Sequence, residues 1–251
     1  MMKIQLIRNA TLWIEYGGVT FLVDPMLSEQ GVNPPIFNTE NDRKNPLVPL
    51  PGNVQQWLQP DAILVTHLHP DHWDEAAVSL LPHSIPVLCQ DGNQDTISAQ
   101  GFEQVTVIEP SLTFRGVTLT RTSGQHGTGD IGELMGRVSG FIFQAEGEPT
   151  LYIAGDTIWC DDVRQALDTY TPDWTVVNAG GARFLTGGHI TMDDQDVADL
   201  CAYAPQTSIV AVHMDAINHC LVTREKLQTR LEQEGLLNRV AIPQDGEWLG
   251  Q

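Results

Sequence analysis

His67-Leu68-His69-Pro70-Asp71-His72 puts four candidate metal ligands into six residues. The run follows Ala62-Ile63-Leu64-Val65, which reads as a short buried strand, and precedes Trp73–Leu81, which reads as a helix. The carboxyl edge of a strand is where α/β proteins bind ligands. Side chains at i and i+2 of an extended segment point the same way, so His67 and His69 can reach one ion together. Asp71 and His72 lie where the chain turns and can hold a second. Imidazole with carboxylate suits two divalent ions of the zinc kind, with Mn²⁺ or Fe²⁺ also accommodated, and does not suit Ca²⁺. Surface decoration explains the run poorly, because charged histidines gain nothing from the positive end of a helix dipole.

Further donors recur at strand ends. Val117–Thr122 reads as a strand running into Ser123-Gly124-Gln125-His126-Gly127-Thr128-Gly129. Its glycines lack the strand–loop–helix form of a nucleotide fingerprint and have no P-loop lysine. His126 instead supplies a third imidazole beside His67 and His69. Thr150–Ala154 ends in Gly155-Asp156-Thr157. A carboxylate has two oxygens and can bridge two ions, which is the role read for Asp156. Ser208–Val212 ends in His213, the missing imidazole beside Asp71 and His72. Asp24, ending an N-terminal hairpin, reads equally as a turn residue and as a hydrogen-bond support for the cluster.

The rest of the chain frames these donors. Lys3–Ile7, Thr11–Tyr16 and Val19–Val23 read as strands, the last two joined by the Gly17-Gly18 turn. Five prolines between Met26 and Pro51 forbid a long helix there. A loop of that length forms a lid or binding wall, with Met26 and Phe37 as candidate lining, or else a surface loop or a contact within a homo-oligomer. Asn53 is expected to cap a short helix to Leu58. Asp91–Gln100 reads as a helix between strands Ile85–Cys89 and Val105–Ile108, and Leu112–Phe114 pairs with Val117–Thr122. Gly136–Gln144 pairs with Thr150–Ala154. Helices follow over Asp161–Leu167, Met192–Ala202 with Thr191 as its cap, and Thr223–Glu234 capped by Thr223, with strand Trp174–Asn178 among them.

At 251 residues and 41 % hydrophobic content, with no polar linker, the chain reads as a single domain over 1–251. No apolar run is long enough to span a membrane, and no signal-peptide pattern opens the chain. Four scattered cysteines without a CxxC pair read as reduced thiols of a cytoplasmic protein. The formal charge of −19 repels phosphate backbones and anionic membranes. It leaves a small-molecule substrate as the expected partner and makes nucleic acid a poor one.

As a set, the HxHxDH run at 67–72, His126, Asp156 and His213 resembles the metallo-β-lactamase superfamily signature across nearly the whole chain. The resemblance implies an α+β, four-layer αβ/βα sandwich of two mixed sheets flanked by helices. It implies a binuclear centre with His67, His69 and His126 on the first ion, Asp71, His72 and His213 on the second, and Asp156 between them. Ile7-Arg8-Asn9-Ala10-Thr11, Asp24-Pro25, Gly155-Asp156-Thr157 and Gly188-His189-Ile190-Thr191-Met192 are similar to the branch that includes the L-ascorbate-6-phosphate lactonases.

The expected activity is hydrolysis of a lactone, ester or amide by a hydroxide bridging two ions about 3.5 Å apart. Asp71 would orient the nucleophile and collect its proton. His189, which is similar to a histidine of the tRNA 3′-processing phosphodiesterases, is read as a leaving-group or substrate contact, as a ligand in place of His213, or as a structural loop residue. Arg183 is the nearest basic residue for a substrate anion. His219 reads as a loop histidine and His83 as a surface one. A phosphodiesterase is the alternative class. A mononuclear iron oxidoreductase of the same fold is a weaker one: persulfide dioxygenase relatives use one iron, and flavodiiron relatives carry Glu where His69 stands.

Overall fold

The computed structural model describes residues 1–250. Its first half runs β1 (Lys3–Arg8), β2 (Thr11–Tyr16), β3 (Val19–Val23), β4 (Ala62–Val65), α1 (Glu75–Leu80), β5 (Val87–Cys89), α2 (Gln94–Ala99) and β6 (Val105–Val107). The second half runs β7 (Ser111–Phe114), β8 (Val117–Ser123), α3 (Gly129–Met135), β9 (Ser139–Gln144), β10 (Leu151–Ile153), α4 (Asp161–Tyr170) and β11 (Trp174–Asn178). It continues with α5 (Asp194–Tyr203), β12 (Ser208–Val212), α6 (Arg224–Gln233), β13 (Val240–Ala241) and β14 (Trp248–Leu249). Two seven-stranded sheets result, ordered β14-β1-β2-β3-β4-β5-β6 and β13-β12-β11-β10-β9-β8-β7. Each is antiparallel at its start and parallel thereafter, from β3–β4 in one and β10–β11 in the other.

Three apolar clusters define four layers. The inner faces of both sheets meet through Ile4, Leu12, Ile14, Phe21 and Leu64 on one side and Leu119, Phe141, Phe143, Ile153 and Val210 on the other. Phe21 meets Phe143 edge to face, with ring centroids 5.3 Å apart. Such a pair adds about 0.5–1.5 kcal/mol beyond its area. The outer face of the first sheet packs under α1 and α2 through Ile63, Val65, Val87, Ala77 and Ile97. The outer face of the second packs under α4, α5 and α6 through Ile142, Tyr152, Val163, Val197 and Leu227. This is the expected αβ/βα sandwich. Gly17 and Gly18 take φ of 59° and 78°, the left-handed pair that a two-residue hairpin requires.

Four details differ from the sequence reading. Helix α3 follows the glycine-rich loop without a helical pattern in the sequence. A Cβ at Gly132 would lie 2.8 Å from the Gly127 carbonyl oxygen, so the glycine that weakens helix propensity here allows that close approach. Strand β14 pairs with β1 over two residues, too short a stretch to leave a pattern. Helix α5 is capped by Asp193, which accepts from Gln195 and Asp196 N–H, while the Thr191 hydroxyl accepts from Ala182 N–H. Helix α1 begins only after Asp74, whose carboxylate caps it by accepting from Ala77 N–H. The expected caps Asn53 and Thr223 do accept from Gln55 and Lys226 N–H. No helix of the described residues is long and apolar enough to cross a membrane.

Candidate metal centre

Every strand end read as a donor position opens at the same edge of the sandwich. His67 to His72 follow β4, His126 follows β8, Asp156 follows β10 and His213 follows β12. Two donor groups form, each with its ligand atoms within 4.8 Å of one another: His67, His69 and His126, and Asp71, His72, Asp156 and His213. All are buried except His69, which is partly open. Asp156 faces both groups. Its Oδ2 is 3.5 Å from His126 Nε2 and 3.2 Å from His72 Nε2, and its Oδ1 is 3.7 Å from His213 Nε2.

The backbone is bent to achieve this. Asn9, Asp24 and His213 are non-glycine residues with φ of 60°, 45° and 63°. Left-handed residues of this kind collect at functional sites, where the surrounding structure holds them. Asn9 supplies part of that hold. Its carbonyl accepts from His213 N–H at 2.9 Å, and its Nδ2 donates to the Asp71 carbonyl at 2.8 Å.

The backs of the rings determine which nitrogen faces inward. Thr66 Oγ1 donates to Asp24 Oδ2 at 2.7 Å, so His67 Nδ1–H donates to Thr66 Oγ1 at 3.0 Å. His126 Nδ1–H donates to the Ile190 carbonyl at 2.7 Å, and His72 Nδ1–H donates to Asp24 Oδ2 at 2.8 Å. A neutral ring with Nδ1–H carries a bare lone pair on Nε2. Those lone pairs converge: His67 Nε2 and His126 Nε2 lie 3.0 and 3.3 Å from His69 Nδ1, and His72 Nε2 lies 3.2 Å from His213 Nε2. One proton cannot satisfy all these contacts, whereas cations can. The donor set fits divalent ions.

The electrostatics divide the site in two. Burial and the neighbouring His72 push His67 well below the usual imidazole value, and burial lowers His69 and takes His126 down to about 4. Each of the three is thereby held toward the neutral form that can offer a lone pair to an ion. In the second group burial also opposes charge, but Asp156, Asp71 and Asp24 outweigh it and raise His72 to about 10. The carboxylates of this group therefore favour positive charge beside them. Burial opposes ionisation of Asp71 and Asp156 too, yet His72 and His213 hold both well below the ordinary carboxylate range.

Several supports of the site leave no mark in the sequence. Asn178, at the end of β11, donates to Asp156 Oδ1 at 2.5 Å. Cys220 Sγ lies 3.4 Å from His213 Nδ1, and although burial pushes its thiol up, His213 and His219 bring it below the usual value. Only Asp24 among the supports carried a sequence signal.

The remaining candidates lie at the rim. His189 Nε2 is 2.9 Å from Asp196 Oδ2 and its Nδ1 3.4 Å from Asp193 Oδ2, forming a third, half-open group. The Asp196 hydrogen bond raises its pKa against the effect of burial. Arg183 is exposed and pairs with His189 in an antiparallel bridge. The 26–51 segment is held down by buried Arg8, which donates to the carbonyls of Met26, Ser28 and Val48. Met26 is buried and lines nothing open, whereas Phe37 is 76 % exposed, its ring centroid 6.4 Å from that of Phe184. His83 is half-buried, its Nε2 2.9 Å from the Val78 carbonyl oxygen.

Comparison with known proteins adds the following. A family model described as "Beta-lactamase superfamily domain" matches residues 20–214. The UPF0173 protein YddR of Bacillus subtilis is 38 % identical over 250 residues, 98 % of each chain. A crystal structure of an isothiocyanate hydrolase from Delia radicum gut bacteria aligns with a TM-score of 0.95 and 37 % identity, covering 100 % of this chain and 99 % of that one. A structure described as a possible metal-dependent hydrolase from Veillonella parvula aligns at 0.96 with 36 % identity, covering 99 % of both.

Proposed function

From the premise that this chain belongs to the metallo-β-lactamase superfamily and is a metal-dependent hydrolase, we propose that it hydrolyses a small, uncharged organic molecule at an electrophilic carbon, with two divalent ions held side by side. The observation that carries this reading is Asp156, one carboxylate facing a three-imidazole group on one side and a histidine–aspartate group on the other. His67, His69 and His126 would hold one ion and Asp71, His72 and His213 another, with Asp156 facing both groups. Bound there, such ions supply Lewis acidity and a water of lowered pKa.

The chain's own residues set the rest. Asp71 has 9 % of its side chain exposed, against 4 % for Asp156, the other carboxylate of its group. It is therefore the carboxylate of the second group placed to accept a hydrogen bond from the attacking water. Zn²⁺ is the ion the donors favour, with Mn²⁺ or Fe²⁺ also accommodated. Apolar Phe37, Phe184 and Leu185 at the rim, with the net charge of −19, favour a neutral substrate over a polyanion. Arg183 at the same rim is placed to meet a polar group of that substrate.

The carbon electrophile to test first is an isothiocyanate, R–N=C=S. The relative bearing that activity in its description matches this chain from end to end at 37 % identity. A lactone, ester or amide carbonyl presents the same kind of target. Benzyl isothiocyanate, a γ-lactone and bis(p-nitrophenyl) phosphate are assayed with the zinc-loaded protein. Turnover of either carbon substrate with little on the phosphodiester supports the reading. Preference for the phosphodiester would replace it with phosphodiesterase activity.

A further inference from the structure

His219 is the imidazole near the centre that neither donor group uses. The ring is buried, with 6 % of the residue exposed, and its Nδ1 has no hydrogen-bond partner. A buried polar atom left unpaired is costly, so a native site that keeps one has a use for it. The position is rigidly held. The His219 carbonyl accepts from Arg183 N–H at 3.1 Å. The preceding residue, Asn218, is fixed by bonds to Ile36, Thr39, Asn41 and Asn45.

The ring lies beside the centre: the next residue, Cys220, has its Sγ 3.4 Å from His213 Nδ1. On its other side the Phe184 ring centroid is 6.1 Å away, and Phe37 lies beyond Phe184. The Phe184 ring thus stands between exposed Phe37 and the His219 imidazole. His189 offers no such edge, since both its nitrogens face carboxylates.

We propose that His219 is a catalytic residue that donates a hydrogen bond to the substrate heteroatom on which negative charge develops, while Phe184 and Phe37 receive the apolar substituent. This rests on the proposed hydrolysis at carbon. In an isothiocyanate the heteroatom is the nitrogen or sulfur flanking the attacked carbon. In a lactone or ester it is an oxygen. Removing one preorganised donor of this kind lowers kcat about 10²–10³-fold.

The test compares His219→Ala and His219→Gln with the unaltered zinc-loaded protein on benzyl isothiocyanate. The expected result is a kcat loss of about 10²–10³-fold for the alanine variant, partial recovery for glutamine, and unchanged metal content and melting temperature in both. A kcat for His219→Ala within about threefold of the unaltered protein would overturn the proposal, as would loss of a bound ion. If the unaltered protein turns over neither an isothiocyanate nor a lactone, the proposed function fails, and His219 is judged on a second measurement. ¹⁵N-labelled imidazole resonances of the zinc-loaded protein are followed while thiocyanate ion is added. A shift of the His219 signals supports contact with a bound molecule, and unmoved His219 signals reject it.

Discussion

Asp24 Oδ2 lies 2.8 Å from His72 Nδ1, and both groups are buried. The same carboxylate accepts from the Thr66 hydroxyl and from Thr66 N–H, and the Thr66 hydroxyl in turn accepts from His67. One aspartate thus orients a histidine in each donor group. Partners of this kind are worth about 10–100-fold in metal affinity. Asp24→Asn is expected to weaken zinc binding by about that factor, at the second site most, with the fold kept. A competition titration against a zinc chelator measures it; an affinity unchanged at both sites would remove Asp24 from the account.

His189 gives a pH-dependent prediction. Hydrogen bonding to Asp196 raises its folded pKa above the unfolded value of 6.5. The charged form is therefore favoured in the native state. Its stabilisation is complete below pH 6.5 and is lost as pH rises through the folded value. Asp196→Asn, which keeps an acceptor for Trp159 N–H, should lower the melting temperature more at pH 6 than at pH 9. Equal losses at both would show that the ion pair contributes nothing.

Asn218 joins the loop after His213 to the 26–51 segment. Its Oδ1 accepts from Ile36 N–H at 2.9 Å and Asn45 Nδ2 at 2.8 Å, and its Nδ2 reaches the Asn41 carbonyl at 2.5 Å. Asn218→Ala leaves several of these buried groups unpaired, at about 1–3 kcal/mol each before relaxation. Chemical denaturation should show lower stability, and kinetics a raised KM for benzyl isothiocyanate as the wall bearing Phe37 loosens. An unaltered KM would show that this segment does not shape the substrate path.

Removing metal should destabilise without unfolding. The three apolar clusters do not depend on the ions, so far-ultraviolet circular dichroism at 25 °C is expected to survive chelation. The melting temperature should fall because binding to the native state alone stabilises it by mass action. Zinc added back should restore it. A melting temperature indifferent to chelator and zinc would mean that the converged donors hold no ion.

Much of this site was legible in the sequence because its chemistry is concentrated at strand ends. His67, His69, Asp71 and His72 stand within six residues, and His126, Asp156 and His213 each follow an apolar run. The fold brings these seven together, and the hairpin at Gly17-Gly18 and the caps at Asn53 and Thr223 follow local rules. What escaped depends on the assembled fold. Asn178 and Cys220 acquire their contacts only when β11 and the loop after β12 meet the donors. His219 looks like any loop histidine until its burial and unpaired Nδ1 are seen. Helix α3 is hidden by the glycine that permits its close approach to Gly127. Thr191 resembles a cap locally, but the fold gives its hydroxyl to Ala182 and leaves capping to Asp193.

Asp156 stands between two donor groups, each suited to one divalent ion. The direct measurement is elemental analysis of protein purified without chelator and then saturated with zinc, beside His213→Ala treated alike. Two zinc ions per chain are expected in the unaltered protein and one in the variant, retained by His67, His69 and His126, with hydrolysis lost on chelation. One ion per chain in the unaltered protein, or turnover that survives its removal, would contradict the two-ion centre.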